Sequence, residues 1–149
     1  MNLLAEIDYQ ATAGNVDRLL KIKLPKLCYR AGRGIYELSS PQLSLAPAHS
    51  TGGNSAEASI INTLGIEQII LAIHHTIYHC GEISKTILID TYIHHYTPDR
   101  IISLLPYERS QYFHKLKPLA LNEFADRYDY WQRKCGVDIE DITDLHIYQ

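Results

Sequence analysis

Apolar residues recur every three or four positions in two long segments, which is the period of a helix with one buried face. The pattern predicts helices over 15–31 and 57–80. Pro25 is expected to break or kink the first helix, because proline lacks an N–H and crowds the preceding turn. For the second helix, Ser55 is the candidate N-cap and Gly81 the stop.

A third segment, residues 84–95, is ambiguous, because its isoleucines would also suit a strand. We favour a helix, since Ser84 can cap it and no partner strand is evident elsewhere. The next start signal is stronger: Thr97 is a good N-cap and Pro98 stands at the first helical position, where its missing N–H costs nothing. A short helix over 98–105 follows, ended by Pro106.

A second helix is then predicted from Glu108 to about Lys117, and Pro118 either kinks it or starts a new one. Three helices in a row, with a short middle one and a tight turn before the third, are typical of a helix-turn-helix. We place this motif at 84–117, in an all-α helical bundle. On the third helix Tyr112, Leu116 and also Leu119 are expected to point inward.

The outward side of the third helix, with the residues just before it, carries side chains suited to base edges and phosphates. Arg suits guanine, Gln suits adenine, and Ser or Lys suits either bases or phosphates. The predicted DNA-binding residues are Thr97, Arg100, Arg109, Ser110, Gln111, His114, Lys115 and Lys117. A generic bundle with a polar surface helix would show the same periodicity.

Breaker residues concentrate in residues 32–56, a length unusual for a loop inside a domain. The predicted organisation is therefore a basic N-terminal helical arm (1–31), a flexible linker (32–56), a helical DNA-binding domain (57–136) and an acidic tail (137–149). The last helix of the domain has apolar residues at spacings of three and four. This stripe suits either the core or a dimer seam, and it comprises Leu121, Phe124, Tyr128 and Trp131.

The net charge of −3 conceals an uneven distribution. The last fifteen residues hold four acids and no Lys or Arg, so residues 1–134 carry 14 basic and 13 acidic groups. The arm is locally basic and can serve as an accessory DNA contact or simply as a solvated helix face; the accessory residues are Lys21, Lys23, Lys26 and Arg30. The acidic tail is either a frayed terminus or a segment that lies on this arm and competes with DNA.

Other functional classes have little support. The three cysteines are scattered and odd in number, which suggests free thiols in the cytoplasm. No apolar run is long enough to span a membrane. Two histidines four apart, His75 and His79, could share a zinc ion or be structural, but no H-E-x-x-H, C-x-x-C, G-x-S-x-G or phosphate-binding loop is present. We expect no enzyme activity, catalytic residue, metal or cofactor.

The order of features resembles the ArpU/RinA group of phage late transcriptional regulators over about residues 1–130. The resemblance rests on the basic helix ending at Ala31-Gly32, on Ser40-Pro41 and Gly53-Asn54-Ser55, on Leu88-Ile89-Asp90, Tyr92-Ile93, Asp99, Ile102 and Leu105, on Arg109-Ser110-Gln111-Tyr112 and Lys117, and on Ala120-Leu121 and Phe124-Ala125. It implies a helix-turn-helix similar to that of sigma-factor region four, and control of phage late or autolysis-related genes. Leu116 and Pro118 depart from the uninterrupted basic helix of such sequences, and the acidic tail has no counterpart.

The sequence thus predicts a regulator that binds double-stranded DNA in the cytoplasm of a bacterial host. Host RNA polymerase and a second copy of the chain are candidate partners, and no membrane is expected. A phage DNA-packaging subunit, similar to a small terminase, is the alternative, because it would use the same helical module. A closed ring of many subunits would favour packaging, and a monomer or dimer would favour regulation.

Overall fold

The computed structural model describes residues 5–43 and 54–149, with the backbone alone described for 54–61. Within these ranges the chain forms five helices and no strand, which confirms the all-α prediction. Three helices contain a π-helical turn. α1 covers 9–31 and consists of Tyr9–Arg18, the π turn Leu19–Lys23 and Leu24–Ala31. α2 is Asn54–Tyr78, α3 covers 82–93 with Glu82–Leu88 and the π turn Ile89–Ile93, and α4 is Pro98–Leu104. α5 covers 109–134 and consists of Arg109–Gln111, the π turn Tyr112–Leu116 and Lys117–Lys134.

Both interior prolines follow a π-helical turn by two residues. Pro25 follows Leu19–Lys23, and Pro118 follows Tyr112–Leu116. A wider turn shifts the carbonyls that a proline ring would otherwise strike, so each helix continues through its proline. Of the two outcomes expected at Pro25, a break or a kink, the break is therefore wrong. At Pro118 the segments on either side form one helix, so a new helix does not start there. Gly32, with φ of 71°, ends α1 as predicted.

α5 lies at the centre of the core and packs against α1, α2 and α3. Fully buried side chains from all four helices meet there, including Leu20, Ile73, Leu88 and Phe124. Burial of each such side chain contributes about 1.5–3 kcal/mol. α1 is thus a structural helix of the core, which differs from the separate arm predicted from the sequence.

The apolar stripe of α5 packs against other helices of the same chain. Leu121, Phe124 and Tyr128 are buried in the core, and the Trp131 ring stacks on His75 at 4.8 Å between centroids. The interpretation of this stripe as a dimer seam is therefore wrong. The other interpretation, that the stripe belongs to the hydrophobic core, is correct.

The first part of the predicted linker packs against α2. A 3₁₀ turn, Ile35–Ser39, buries Leu38, and the Tyr78 hydroxyl donates to the Ser39 carbonyl at 2.5 Å. One ring nitrogen of His74, Nε2, donates to the Ser40 carbonyl at 2.7 Å. These bonds fix the segment after α1 to the last turns of α2. The rest of the linker, 44–53, and the Ser55 side chain lie outside the described residues.

The boundary between α2 and α3 differs from the prediction. α2 ends at Tyr78, and Gly81 precedes α3 as its N-cap residue instead of ending α2. The Gly81 N–H donates to the Glu123 carboxylate of α5 at 2.6 Å, so a tertiary contact sets where α3 begins. Ser84 is consequently buried inside α3 and is not its cap. The choice of helix over strand for this segment is correct.

The acidic tail is docked along α5 and the start of α1. The Gln132 amide donates to the Thr143 carbonyl and accepts from the Thr143 N–H, both at 2.8 Å. The Asn15 amide donates to the Leu145 carbonyl at 2.9 Å, and Leu145 is buried. A short antiparallel bridge joins Ile7 to Tyr148. The interpretation of the tail as a frayed terminus is therefore wrong.

Across the ranges that the structure describes, no helix has both the length and the hydropathy that crossing a bilayer requires.

Candidate nucleic-acid interface

α4 and α5 are joined by a four-residue turn, 105–108, and both begin at defined caps. The Thr97 hydroxyl accepts from the Arg100 N–H at 3.3 Å, which confirms the predicted cap of α4. Glu108 is the N-cap residue of α5, close to where the sequence predicted this helix to start, and its N–H donates to the Gln111 side chain at 3.3 Å. These local signals set where α4 and α5 begin.

The inward side of this region is apolar and buried. Ile101 of α4 and Tyr112 of α5 are each 1% exposed, and Leu116 is also buried. Burial raises the pKa of the Tyr112 phenol, and the nearby Asp90 charge adds to the effect. Leu119, which was expected to point inward, is exposed, because the π turn shifts the residues that follow it.

The start of α4 and the outward side of α5 carry the predicted DNA-binding residues. Seven of the eight are exposed, namely Thr97, Arg100, Arg109, Ser110, Gln111, His114 and Lys115, and Lys117 is half-buried. The structure thus brings them to the surface around one turn between two helices. Their contact with DNA stays a prediction.

Arg109 is held by Asp99 and Phe113, neither of which is among the predicted DNA-binding residues. Its guanidinium pairs with the Asp99 carboxylate of α4 and lies 5.0 Å from the centre of the Phe113 ring. Both charged side chains are largely exposed, so their attraction is weak and screened by solvent. A phosphate or a guanine could therefore displace Asp99 at little cost.

Two further predicted side chains already make bonds within the helix. The Glu108 N–H donates to Oε1 of Gln111 at 3.3 Å, so only the amide N–H₂ of Gln111 is free. The His114 ring uses Nδ1 to donate to the Ser110 carbonyl at 3.1 Å, and Nε2 makes no hydrogen bond within the described residues. Bidentate contact of Gln111 with adenine requires release of its capping bond.

The remaining cations differ in how firmly they are held. The Arg100 guanidinium lies 3.8 Å from the centre of the Tyr96 ring, a cation–π contact that restrains it. Lys115 and Lys117 make no ion pair within the described residues. Such lysines suit phosphates, which need a charge and little geometric precision.

Three of the four accessory cations of α1 lie on another part of the molecule. Lys23, Lys26 and Arg30 line a groove with Tyr128 and with tail residues. Tyr128 is fourteen residues beyond His114 on α5, which corresponds to roughly 20 Å along a helix. These three cations therefore do not form one continuous patch with the cations at the start of α5.

His75, His79, Cys28 and Cys80 are accounted for by packing. His75 and His79 both stack on Trp131, and no group of three metal-binding side chains comes together among the described residues. Burial raises the pKa of the Cys28 thiol to about 11 and that of Cys80 to about 12. These thiols remain protonated at neutral pH and are poor nucleophiles.

No protein-family model matches the chain, and no solved structure is detectably similar to it. The chain is 34% identical over 134 aligned residues to a protein of Enterococcus hirae named as a candidate autolysin regulatory protein, ArpU. The alignment covers 86% of this chain and 93% of the relative. The name of that relative points to a regulatory role, and this chain belongs to the ArpU family.

Proposed function

We propose that this chain is a sequence-specific DNA-binding transcriptional regulator of autolysis-related or phage late genes, acting in the cytoplasm of a bacterial host. Double-stranded DNA is the partner, bound by a helix-turn-helix made of α3, α4 and α5. Host RNA polymerase is a second proposed partner.

One observation carries the proposal: the first two turns of α5 have an apolar side that is buried and a polar side that is exposed, as a helix that binds in a DNA groove requires. Tyr112 and Leu116 are buried behind the helix, while Arg109, Ser110 and Lys115 stand in solvent. The major groove is wide enough to admit one such helix. The four-residue turn between α4 and α5 has the length found in helix-turn-helix motifs.

Charge supports the same surface. The segment from 97 to 117 contains four Lys or Arg residues and two acids, so it is locally basic although the whole chain is acidic. Phosphate binding depends on local charge, since interactions beyond about 10 Å are screened at 0.1 M salt. The name of the Enterococcus hirae relative adds support for regulation, but not for a particular target sequence.

Selection of bound duplexes from a random DNA pool is the first test. We expect an enriched motif of defined length. Arg109→Ala should then relax the preference at one position and cost about 1–3 kcal/mol on the selected sequence, because a guanine contact is lost. Lys115→Ala should weaken binding to all sequences. It should also reduce, by about one, the magnitude of the slope of the logarithm of the binding constant against the logarithm of the salt concentration.

Lys134→Ala provides the matched control, because Lys134 is an exposed cation at the opposite end of the same helix. It should leave both the motif and the affinity unchanged. Flat enrichment, or equal effects of the Lys115 and Lys134 changes, would contradict the proposal. Flat enrichment together with a ring of many subunits would favour the packaging alternative.

A further inference from the structure

A groove of about 300 Å³ lies between α1 and the docked tail. Its walls come from α1, from α2, from the C-terminal half of α5 and from the tail. The apolar part of the lining consists of Leu19, Leu27, Ile69, Tyr128 and Leu145. A concave apolar surface with a few polar groups at its edge is the usual form of a small-molecule site.

The edge of the groove is cationic. Lys23, Lys26 and Arg30 line it, and Asp141 is the one acid among the lining residues. None of the three cations has an ion-pair partner within the described part of the chain. The lining thus carries a net charge of about +2, from three cations and one acid, beside an apolar floor. This combination attracts an anion that has an apolar body.

We propose that this groove binds a small anionic amphiphile, with a carboxylate, phosphate or sulfate head on an aliphatic or aromatic body. The head would contact the three cations, and the body would cover the apolar floor. A DNA backbone could reach the cations at the edge but would leave the apolar floor uncovered, because phosphates and sugars are polar. The apolar floor therefore favours a small ligand over the accessory DNA contact expected for these residues.

The tail forms one wall, and this gives the ligand a means of regulation. Thr143 and Leu145 line the groove while they are bound to Gln132 and Asn15 of the bundle. A ligand that contacts both the tail and α1 binds the docked tail in preference to a released one. Ligand binding and tail docking are then coupled, and each strengthens the other by the same factor.

Isothermal titration calorimetry of the full chain with octanoate tests the site, with octanol and octylammonium as controls that share the chain but not the head. We expect octanoate to bind with one-to-one stoichiometry. Its dissociation constant should be at least about tenfold lower than those of both controls, because a hydrogen-bonded charge contributes a factor of this size. Equal binding of octanol would show that the apolar surface alone acts, and would overturn the proposal.

A triple variant, Lys23→Gln with Lys26→Gln and Arg30→Gln, should weaken octanoate binding at least about tenfold. The matched control replaces three exposed cations outside the groove, Arg18, Lys21 and Lys134, by Gln and should bind as the original chain does. Leu27→Trp, which fills the groove without changing its charge, should also abolish binding. Circular dichroism establishes that each variant is folded, and if Leu27→Trp is not, the triple variant decides.

Equal weakening in both triple variants would overturn the proposal, because the effect would then come from net charge. Absence of octanoate binding combined with a lower salt slope for DNA in the groove variant would assign the three cations to DNA instead. The readout is ligand binding in the absence of DNA, so its failure is distinguishable from failure of the proposed function.

Discussion

Replacement of Arg33 by Met tests the buried ion pair that joins the segment after α1 to α2. Arg33 donates from Nε to Oε2 of Glu67 at 2.6 Å, and the two side chains are 7% and 2% exposed. A second contact, at 3.0 Å, joins Arg33 to Glu37. In the Arg33→Met variant, the Glu67 carboxylate would remain buried without its cation.

The expected cost follows from that burial. Removal of one partner of a buried pair destabilises a protein by about 3–5 kcal/mol, because the remaining charge is neither solvated nor paired. Domains are stable by only about 5–15 kcal/mol in total, so this loss is a large fraction. At roughly 2–4 °C per kcal/mol for a chain of this size, the melting temperature should fall by about 6–20 °C.

Urea denaturation followed by circular dichroism measures the change. The double variant Arg33→Met with Glu67→Gln should recover most of the loss, because no buried charge is left. Arg133→Met removes an exposed ion pair with Asp129 and should change stability little. A single variant as stable as the original chain, or a double variant as unstable as the single one, would refute the reasoning.

Three further outcomes are expected. Thr97→Ala should cost about 1 kcal/mol in urea denaturation, because α4 loses its capping bond; Thr97→Ser should not, and equal loss in both variants would contradict this. Asp99→Asn should raise affinity for the selected DNA severalfold in fluorescence anisotropy, since Arg109 is released and an acid is removed; unchanged affinity would count against Arg109 as a DNA contact. Burial lowers the pKa of His74 below its ordinary 6.5, so the folded state disfavours the protonated ring. The stability that neutral His74 contributes is therefore present above pH 6.5 and is lost as pH falls through the lowered pKa. His74→Gln should reduce the dependence of the free energy of unfolding on pH, measured by denaturation from pH 7.5 to 5.

Local signals in the sequence were sufficient for the helical class and for the start of α4 and α5. Thr97 and Pro98 begin α4, and α5 begins after Glu108, whose N–H donates to the Gln111 side chain, because capping depends on residues within one turn. The inward side of α5 was also readable for Tyr112 and Leu116, since burial follows the helical period. The resemblance to ArpU likewise required only the order of residues along the chain.

Tertiary contacts decided the features that depend on distant residues. Arg109 pairs with Asp99 ten residues away, and the Gly81 N–H bonds to Glu123, forty-two residues away. Neither pairing has a periodicity that reveals it in advance. The π turns before Pro25 and Pro118 also depend on tertiary structure. Burial of the helix in the core favours a continuous helix, whereas each proline alone would favour ending it.

The acidic tail shows most clearly the difference between what the sequence determines and what the tertiary structure determines. From sequence, 137–149 is an acidic terminus with alternating apolar residues, which is compatible with solvent or with docking. Its position was decided by the Gln132 amide, which satisfies both backbone groups of Thr143, and by the place that the bundle offers to Leu145. Sequence patterns record which residues prefer burial, whereas the folded bundle determines where an apolar site and free hydrogen-bonding groups coincide.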